Sequence, residues 1–318
     1  MQTLERNTAA EERPPAAPPL ARRTRRRLLP RGDMALAVLA LSPSILAVGV
    51  FIYGFIGWTF YISTVNWNDI LPDYTFTGAR NWVRVFTDER FQIDLRNLVY
   101  FAASFMTQCI VLGFLLAALL DRGIKGEALF RTVFIFPFAV SGIVTGVAWR
   151  WLMQPTTGIN LLLDAAGLGF LKNEWYAHPQ YGMLAVSIPA AWQMTGYIMA
   201  LYLAGLRGIS AEVREAAAMD GASTFQLYRH VIIPMLAPVT LSAIVLTGMG
   251  SIRVFDLVSA MSGSGAAYAT DTLAFYMFQM SFQANRFSLG AVIAAFMILL
   301  SAFLVVPYLM QVRKEVEQ

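Results

Sequence analysis

The chain has very little with which to do covalent chemistry. Its 318 residues include one cysteine, Cys109, two histidines, His178 and His230, and three lysines, Lys125, Lys172 and Lys314. A single cysteine excludes an internal disulfide and a cysteine zinc cluster. Cys109 lies inside an apolar run, where a small core side chain is the ordinary role. The two histidines fall in connections on opposite sides of the topology derived below, so they do not converge on a metal. No lysine follows a glycine, and the glycine-rich phosphate cradle with its lysine is absent; neither Gly-x-Ser-x-Gly nor His-Glu-x-x-His occurs. The expectation is a chain that binds no cofactor of its own and catalyses no reaction.

Charge is scarce as well. Only 14% of residues are charged, against about a quarter in soluble domains. In its place is apolar surface, 57% of residues, gathered in blocks of about 20 or more, the length that crosses a bilayer. The class is all-α, a polytopic membrane protein. Six spanning helices are expected at about 34–63, 97–120, 131–153, 181–206, 234–260 and 287–310.

An even number of spans puts both termini on one side. That side carries eight arginines between Arg6 and Arg31, then Arg122, Lys125 and Arg131, then Arg207, Arg214 and Arg229, and finally Arg313 and Lys314. The other side carries Arg80, Arg84, Arg90, Arg96, Arg150, Lys172 and Arg286. Sixteen against seven makes the termini and the 207–233 connection cytoplasmic by the positive-inside rule. The basic balance therefore marks orientation and not nucleic-acid binding. Residues 1–33, with Pro14, Pro15, Pro18 and Pro19, read as a disordered basic cytoplasmic tail, and 34–318 as the membrane domain. The segment 64–95 is too polar to span. Its Trp67, Tyr74, Trp82 and Phe86 suit an interfacial helix-turn segment.

The connection at about 207–236 is the most structured polar stretch. Ser210 is placed to cap a helix from Ala211, with Glu212 in its first turn. Gly221 permits the positive φ of a sharp turn. Ser223 starts a second short helix, and Pro234 opens the next span. Small side chains at Ala216, Ala217, Ala218 and Ala222 let another surface come close, and Glu215 and Asp220 offer it negative charge.

Within the spans, polar side chains need partners or a watery cavity. Ser141, Thr145 and Trp149 lie on the third, Gln193, Thr195 and Tyr197 on the fourth, and Thr247, Ser251, Arg253 and Asp256 on the fifth. Thr247 and Ser251 share a face, and Arg253 and Asp256, three apart, form a possible intramembrane ion pair. Hydroxyls and amides beside aromatic rings suit a sugar, though each hydroxyl alone also fits a helix–helix hydrogen bond. Gly142 and Gly146 read as a close-packing pair.

The run Glu215-Ala216-Ala217, Asp220-Gly221-Ala222, Tyr228, Val231, Ile233, Pro234 resembles the EAA loop of ABC importer permeases, with Ile233 and Tyr228 where Leu and Phe are usual. Asn97 at the start of the second span fits that family. Val254 to Met261 resembles the Phe-Asp…Met-Thr stretch of sugar permeases, although Gly263-Ser264-Gly265 replaces the usual Gly-Gly-Pro. The chain resembles the carbohydrate-uptake permeases related to the maltose and glycerol-phosphate systems. Phe130 to Val133, Trp149 to Leu152 and Leu203 to Gly208 look nearest to the glucose/mannose branch.

The resemblance implies the type I ABC importer permease fold in a bacterial inner membrane. It implies a loop in which Glu215, Ala216, Ala217, Asp220, Gly221 and Pro234 seat on an ATPase subunit. It also implies a sugar pathway past Phe138, Gly142, Gln193, Met194, Thr247 and Ser251. The implied partners are a second homologous permease, two ATPase subunits holding ATP and Mg, a soluble sugar-binding protein and membrane lipid. An ion- or proton-coupled secondary transporter is the alternative, and a non-transporting membrane scaffold a third reading. The secondary transporter needs a titratable relay, for which Asp256 is the one acid placed in a span.

Overall fold

The computed structural model describes residues 31–317. The tail expected at 1–33 falls outside that range except for its last three residues, which begin a helix. The chain divides into two units, residues 1–53 and 54–318. The described part of the first is α1 (Arg31–Val48), which runs into a π-helical turn, Gly49–Gly54.

The second unit opens with α2 (Phe55–Ser63) and α3 (Arg80–Phe86). Between them, a single antiparallel bridge joins Val65 to Phe76. Asn81 is buried and donates to the carbonyls of Ser63 and Val65 at 3.1 and 2.7 Å, while the Trp82 indole donates to Ser63 Oγ. The segment expected to be interfacial is thus a folded knot on the end of α2, with Trp67 packed on Phe287 at 4.7 Å.

The second span begins earlier than expected. Helix α4 (Glu89–Leu120) starts eight residues before Asn97 because Asp88 caps it, accepting from the backbone N–H of Arg90 and Phe91. Its 32 residues extend about 48 Å at 1.5 Å per residue, well beyond a hydrocarbon core of about 30 Å.

The third span is broken. Helix α5 (Glu127–Ile135) continues as a 3-10 turn, Phe136–Ala139, then turns 98° into α6 (Gly142–Leu152). Pro137, inside the 3-10 turn, has no N–H to continue an α-helical ladder. Next come α7 (Gly158–Ala165) and two short 3-10 turns, before α8 (Gly182–Gly208).

The polar connection holds α9 (Ala211–Met219), α10 (Thr224–Leu227), a π turn at Tyr228–Ile232 and α11 (Ile233–Met235), leading to α12 (Ala237–Ile252). The chain bends 66° between the segment ending at Met235 and α12. The fifth span was expected to reach residue 260. It stops at Ile252, and α13 (Asp256–Met261) is a separate short helix. Then come α14 (Leu273–Phe278), a π turn at Gln279–Gln283 and α15 (Phe287–Glu317).

By length and composition four helices can cross a membrane: Val38–Ser63, Glu89–Leu120, Gly182–Gly208 and Phe287–Arg313. The two bent pairs bring the count to six. The main core is built on α4 and α8, around Phe101, Cys109, Met199, Tyr202 and Leu206. Glycines let the helices close in. A Cβ on Gly113 of α4 would meet Ile198 Cγ2 at 2.8 Å, and one on Gly146 of α6 would meet the Leu257 carbonyl of α13 at 2.7 Å. A smaller cluster at the other end joins Val85, Phe91, Tyr276, Leu289 and Ile293.

Candidate coupling loop and solute cavity

Helix α9 ends in a Schellman turn. The N–H of Ala222 reaches the Ala217 carbonyl and that of Gly221 the Ala218 carbonyl, both at 3.0 Å, with Gly221 at φ +75°. A side chain with a Cβ resists that conformation by about 1–2 kcal/mol. Helix α10 then opens with a capping box: Ser223 Oγ accepts from the Gln226 N–H, and the Ser223 N–H donates to Gln226 Oε1. Ser210 has the extended backbone of a cap, but its side chain makes no capping bond. Pro234 lies in α11, and the backbone bends just after it.

Two ion pairs fix the loop to the ends of the spans. Arg214 Nη1 meets Asp121 Oδ2 at 2.7 Å and Arg214 Nη2 donates to the Leu206 carbonyl at 2.9 Å, so one guanidinium joins α9 to the ends of α4 and α8. Glu127, at the start of α5, takes Arg207 at 2.7 Å and Arg131 from its own helix. Glu215, Ala216, Asp220 and Gly221 remain exposed. So do Met219, 88% exposed, and Phe225, 70% exposed, two large apolar side chains on a polar face. A shallow dent of about 320 Å³ lies between the two helices, lined by Ala217, Asp220, Gly221, Ala222, Gln226 and His230. The dent is thus lined by small residues beside the exposed Asp220, and Met219 and Phe225 are exposed on the same two helices.

A second feature lies inside the bundle. A cavity of about 210 Å³ is lined by Phe101 and Phe105 of α4, Phe138 of the 3-10 turn, Gln193 and Met194 of α8, and Gly250 and Val254 near the end of α12. Phe138 stacks on Tyr197 at 4.9 Å, and Phe101 on Phe105 at 5.3 Å. Gln193 Nε2 donates at 2.7 Å to the Val140 carbonyl, at the break between α5 and α6, tying α8 to that break.

Of the six pathway residues named from resemblance, the structure brings Phe138, Gln193 and Met194 together. The other three lie elsewhere. Gly142 is packed against Asp256 of α13, where an added Cβ would come to 3.0 Å from Asp256 Cβ. Thr247 and Ser251 are buried and turn their hydroxyls onto their own helix, at 2.7 Å to the Ala243 carbonyl and 2.9 Å to the Thr247 carbonyl. The pairing of Arg253 with Asp256 is not made. Helix α12 ends at Ile252, the two residues sit on either side of a break, and among the described residues they form no salt bridge. Phe101 and Phe105 were missed by sequence reasoning; their spacing of four on one helix was the available signal.

This architecture has relatives. Residues 109–313 match the family described as binding-protein-dependent transport system inner membrane component. The chain belongs to that family. It is 38% identical over 87% of its length to a probable ABC transporter permease protein of Pyrococcus horikoshii, covering 95% of that protein. It is 32% identical over 82% of its length to a xylose/arabinose import permease protein of Haloferax volcanii, covering 83% of it. Its fold matches a chain of a bacterial alginate ABC transporter solved in complex with an alginate pentasaccharide-bound periplasmic protein, with a TM-score of 0.72 at 18% identity over 88% of this chain and 93% of that one. The protein is a multi-pass membrane permease component of the ABC importer type.

Proposed function

We propose that this permease carries a sugar and forms half of its path across the membrane, coupled through the 207–236 loop to an ATPase subunit. The observation that carries the reading is the loop itself. Two helices are joined by a glycine turn, anchored through Arg214 to α4 and α8, and present Met219 and Phe225 outward. A rigid, anchored element with a receptive outer face transmits force; a free loop would not. The cavity supports the solute class. Aromatic rings at Phe101, Phe138 and Tyr197 suit the apolar faces of a sugar ring, and the Gln193 amide suits a hydroxyl. The related pentose permease points the same way.

The proposed mechanism is alternating access. ATP and Mg bind to two partner ATPase subunits, whose closure presses on the loop around Glu215 and Gly221. Arg214 passes the displacement to the ends of α4 and α8, the helices that form the core and hold the cavity wall. A second permease closes the path from the other side, and a soluble binding protein delivers the sugar from outside. Both termini and the loop lie in the cytoplasm. A proton- or ion-coupled transporter, the alternative, would work without any ATPase.

Gentle affinity purification of the chain from its native membrane tests this. Co-purification of an ATPase subunit and a second permease is expected. Recovery of the chain alone, active in vesicles without ATP, would overturn the coupling reading.

A further inference from the structure

A second cavity, larger than the first, lies against the broken third span and plays no part in the transport reading. Its volume is about 470 Å³. Leu112 and Leu116 of α4, Ala191 and Trp192 of α8 and Trp149 of α6 line it, the two indole rings 6.0 Å apart. Pro137 also lines it, while the next residue, Phe138, lines the solute cavity. The 3-10 turn Phe136–Ala139 is therefore a partition with a cavity on each side. Helix α8 divides the two cavities as well. At 3.6 residues per turn, Ala191, Trp192 and Thr195 point roughly opposite to Ala190, Gln193 and Met194.

Chemistry, depth and shape together select the occupant. The lining is mostly apolar. Gln108 spends its amide hydrogens on Ser104 and Ser187. The Thr195 hydroxyl is buried against the Cys109 thiol, a weak partner, with no stronger one. An apolar cavity stays dry, and without an occupant its walls forfeit dispersion contacts. The lining residues all belong to stretches that cross the membrane, Glu89–Leu120, Gly182–Gly208 and the bent pair from Glu127 to Leu152. Leu112, Val133 and Trp192 among them are exposed, and at that depth the surroundings are hydrocarbon. Shape argues against another helix. Helices in membranes approach closely over small residues. This chain does so at Gly113, which meets Ile198, and at Gly196, where any Cβ would run into the Phe134 carbonyl. Around the second cavity only Ala191 and Gly196 are small, and they are buried; the exposed lining residues are bulky. Bulky side chains around a small floor hold a helix off and admit a thin, flexible chain.

We propose that an acyl chain of a membrane phospholipid occupies this cavity and braces the 3-10 turn on the side away from the solute. On the solute side Gln193 holds the Val140 carbonyl, and within the turn the Val140 N–H reaches the Pro137 carbonyl at 3.1 Å. On the other side the acyl chain supplies the packing against Pro137. The proposal needs the membrane spans but neither the sugar nor the ATPase, so its failure would leave the transport reading standing.

The test uses the intact complex in nanodiscs made with a phospholipid whose acyl chain carries a photoactivatable diazirine. Excess unlabelled phospholipid is then added, the sample is irradiated, and labelled residues are mapped by mass spectrometry. Label at Pro137 and Trp192 should survive the chase. Label at Leu299 and Phe303, exposed apolar residues of α15, should be lost to it. Ala191→Leu, which fills the floor, should lose the retained label, and Thr195→Val, which removes the hydroxyl and keeps the shape, should keep it. Stripping the lipid with detergent should speed amide exchange in 136–141, and adding phospholipid back should slow it. No retained label at Pro137 and Trp192 in the wild type would overturn the proposal, including the case in which a second permease covers the cavity. Loss of label in Thr195→Val would overturn it too, by marking a ligand held through a polar group, and exchange indifferent to lipid would overturn the brace. If Ala191→Leu fails to assemble, the wild-type chase and Thr195→Val decide.

Discussion

Gly221 sits at φ +75° with open space where a Cβ would go. Backbone conformation and not crowding therefore makes the position selective. Proline, locked near −65°, cannot hold the Schellman turn. Gly221→Pro should insert normally and lose ATP-driven uptake; undiminished uptake at equal membrane abundance would remove the loop from the coupling path. Arg214 makes a sharper case. Removing it leaves Asp121, whose side chain is only 7% exposed, without its partner. Arg214→Ala should lower stability by about 1–3 kcal/mol, read as a drop in the thermal midpoint of the purified complex, and loosen coupling with it. The hydroxyls of Thr247 and Ser251 show where residue-level reading stops. Sequence spacing places them on one face, but their direction is set by the carbonyls of Ala243 and Thr247 a turn back, which take both hydroxyls inside the helix. Gln193→Ala should therefore change uptake kinetics while Ser251→Ala should not. Equal effects of the two would contradict the cavity as described.

At the scale of elements, the turns of the loop were legible, apart from the side-chain cap expected of Ser210, and the spans only in part, for one reason. Caps, a glycine turn and a capping box are local, so Gly221 and Ser223 announce them in the sequence. Span lengths follow from local hydropathy, and the loop's boundaries agree to within a few residues. Breaks inside spans depend on distant partners. The 98° turn between α5 and α6 is held by Gln193 from α8, and the early start of α4 is stabilised by Arg90 reaching 181 residues along the chain to Asp271. A charged stretch that neutralises itself through such contacts reads, in sequence, as a segment outside the membrane. The α6–α13 contact gives a clean test. Any side chain at Gly146 would run into the Leu257 carbonyl and Ala260 Cβ. Gly146→Val should cost about 1–3 kcal/mol, seen as a lower unfolding midpoint; an unchanged midpoint would mean the two helices are not in contact.

At the scale of the whole molecule, residues 54–318 form a helical bundle that holds the cavity along α8 and the anchored loop just beyond the end of that helix. What joins the two is α8, which lines the cavity at Gln193 and Met194 and accepts the grip of Arg214 at Leu206. The central claim is that force enters at the loop and acts at the cavity. The most direct measurement is sugar uptake by the intact complex in proteoliposomes, with binding protein outside and ATP inside, comparing the wild type with Gly221→Pro. The account predicts ATP-dependent uptake by the wild type, and ATP hydrolysis without uptake, or neither, in the variant. Uptake that runs without ATP, or that the variant performs as well as the wild type, would contradict it.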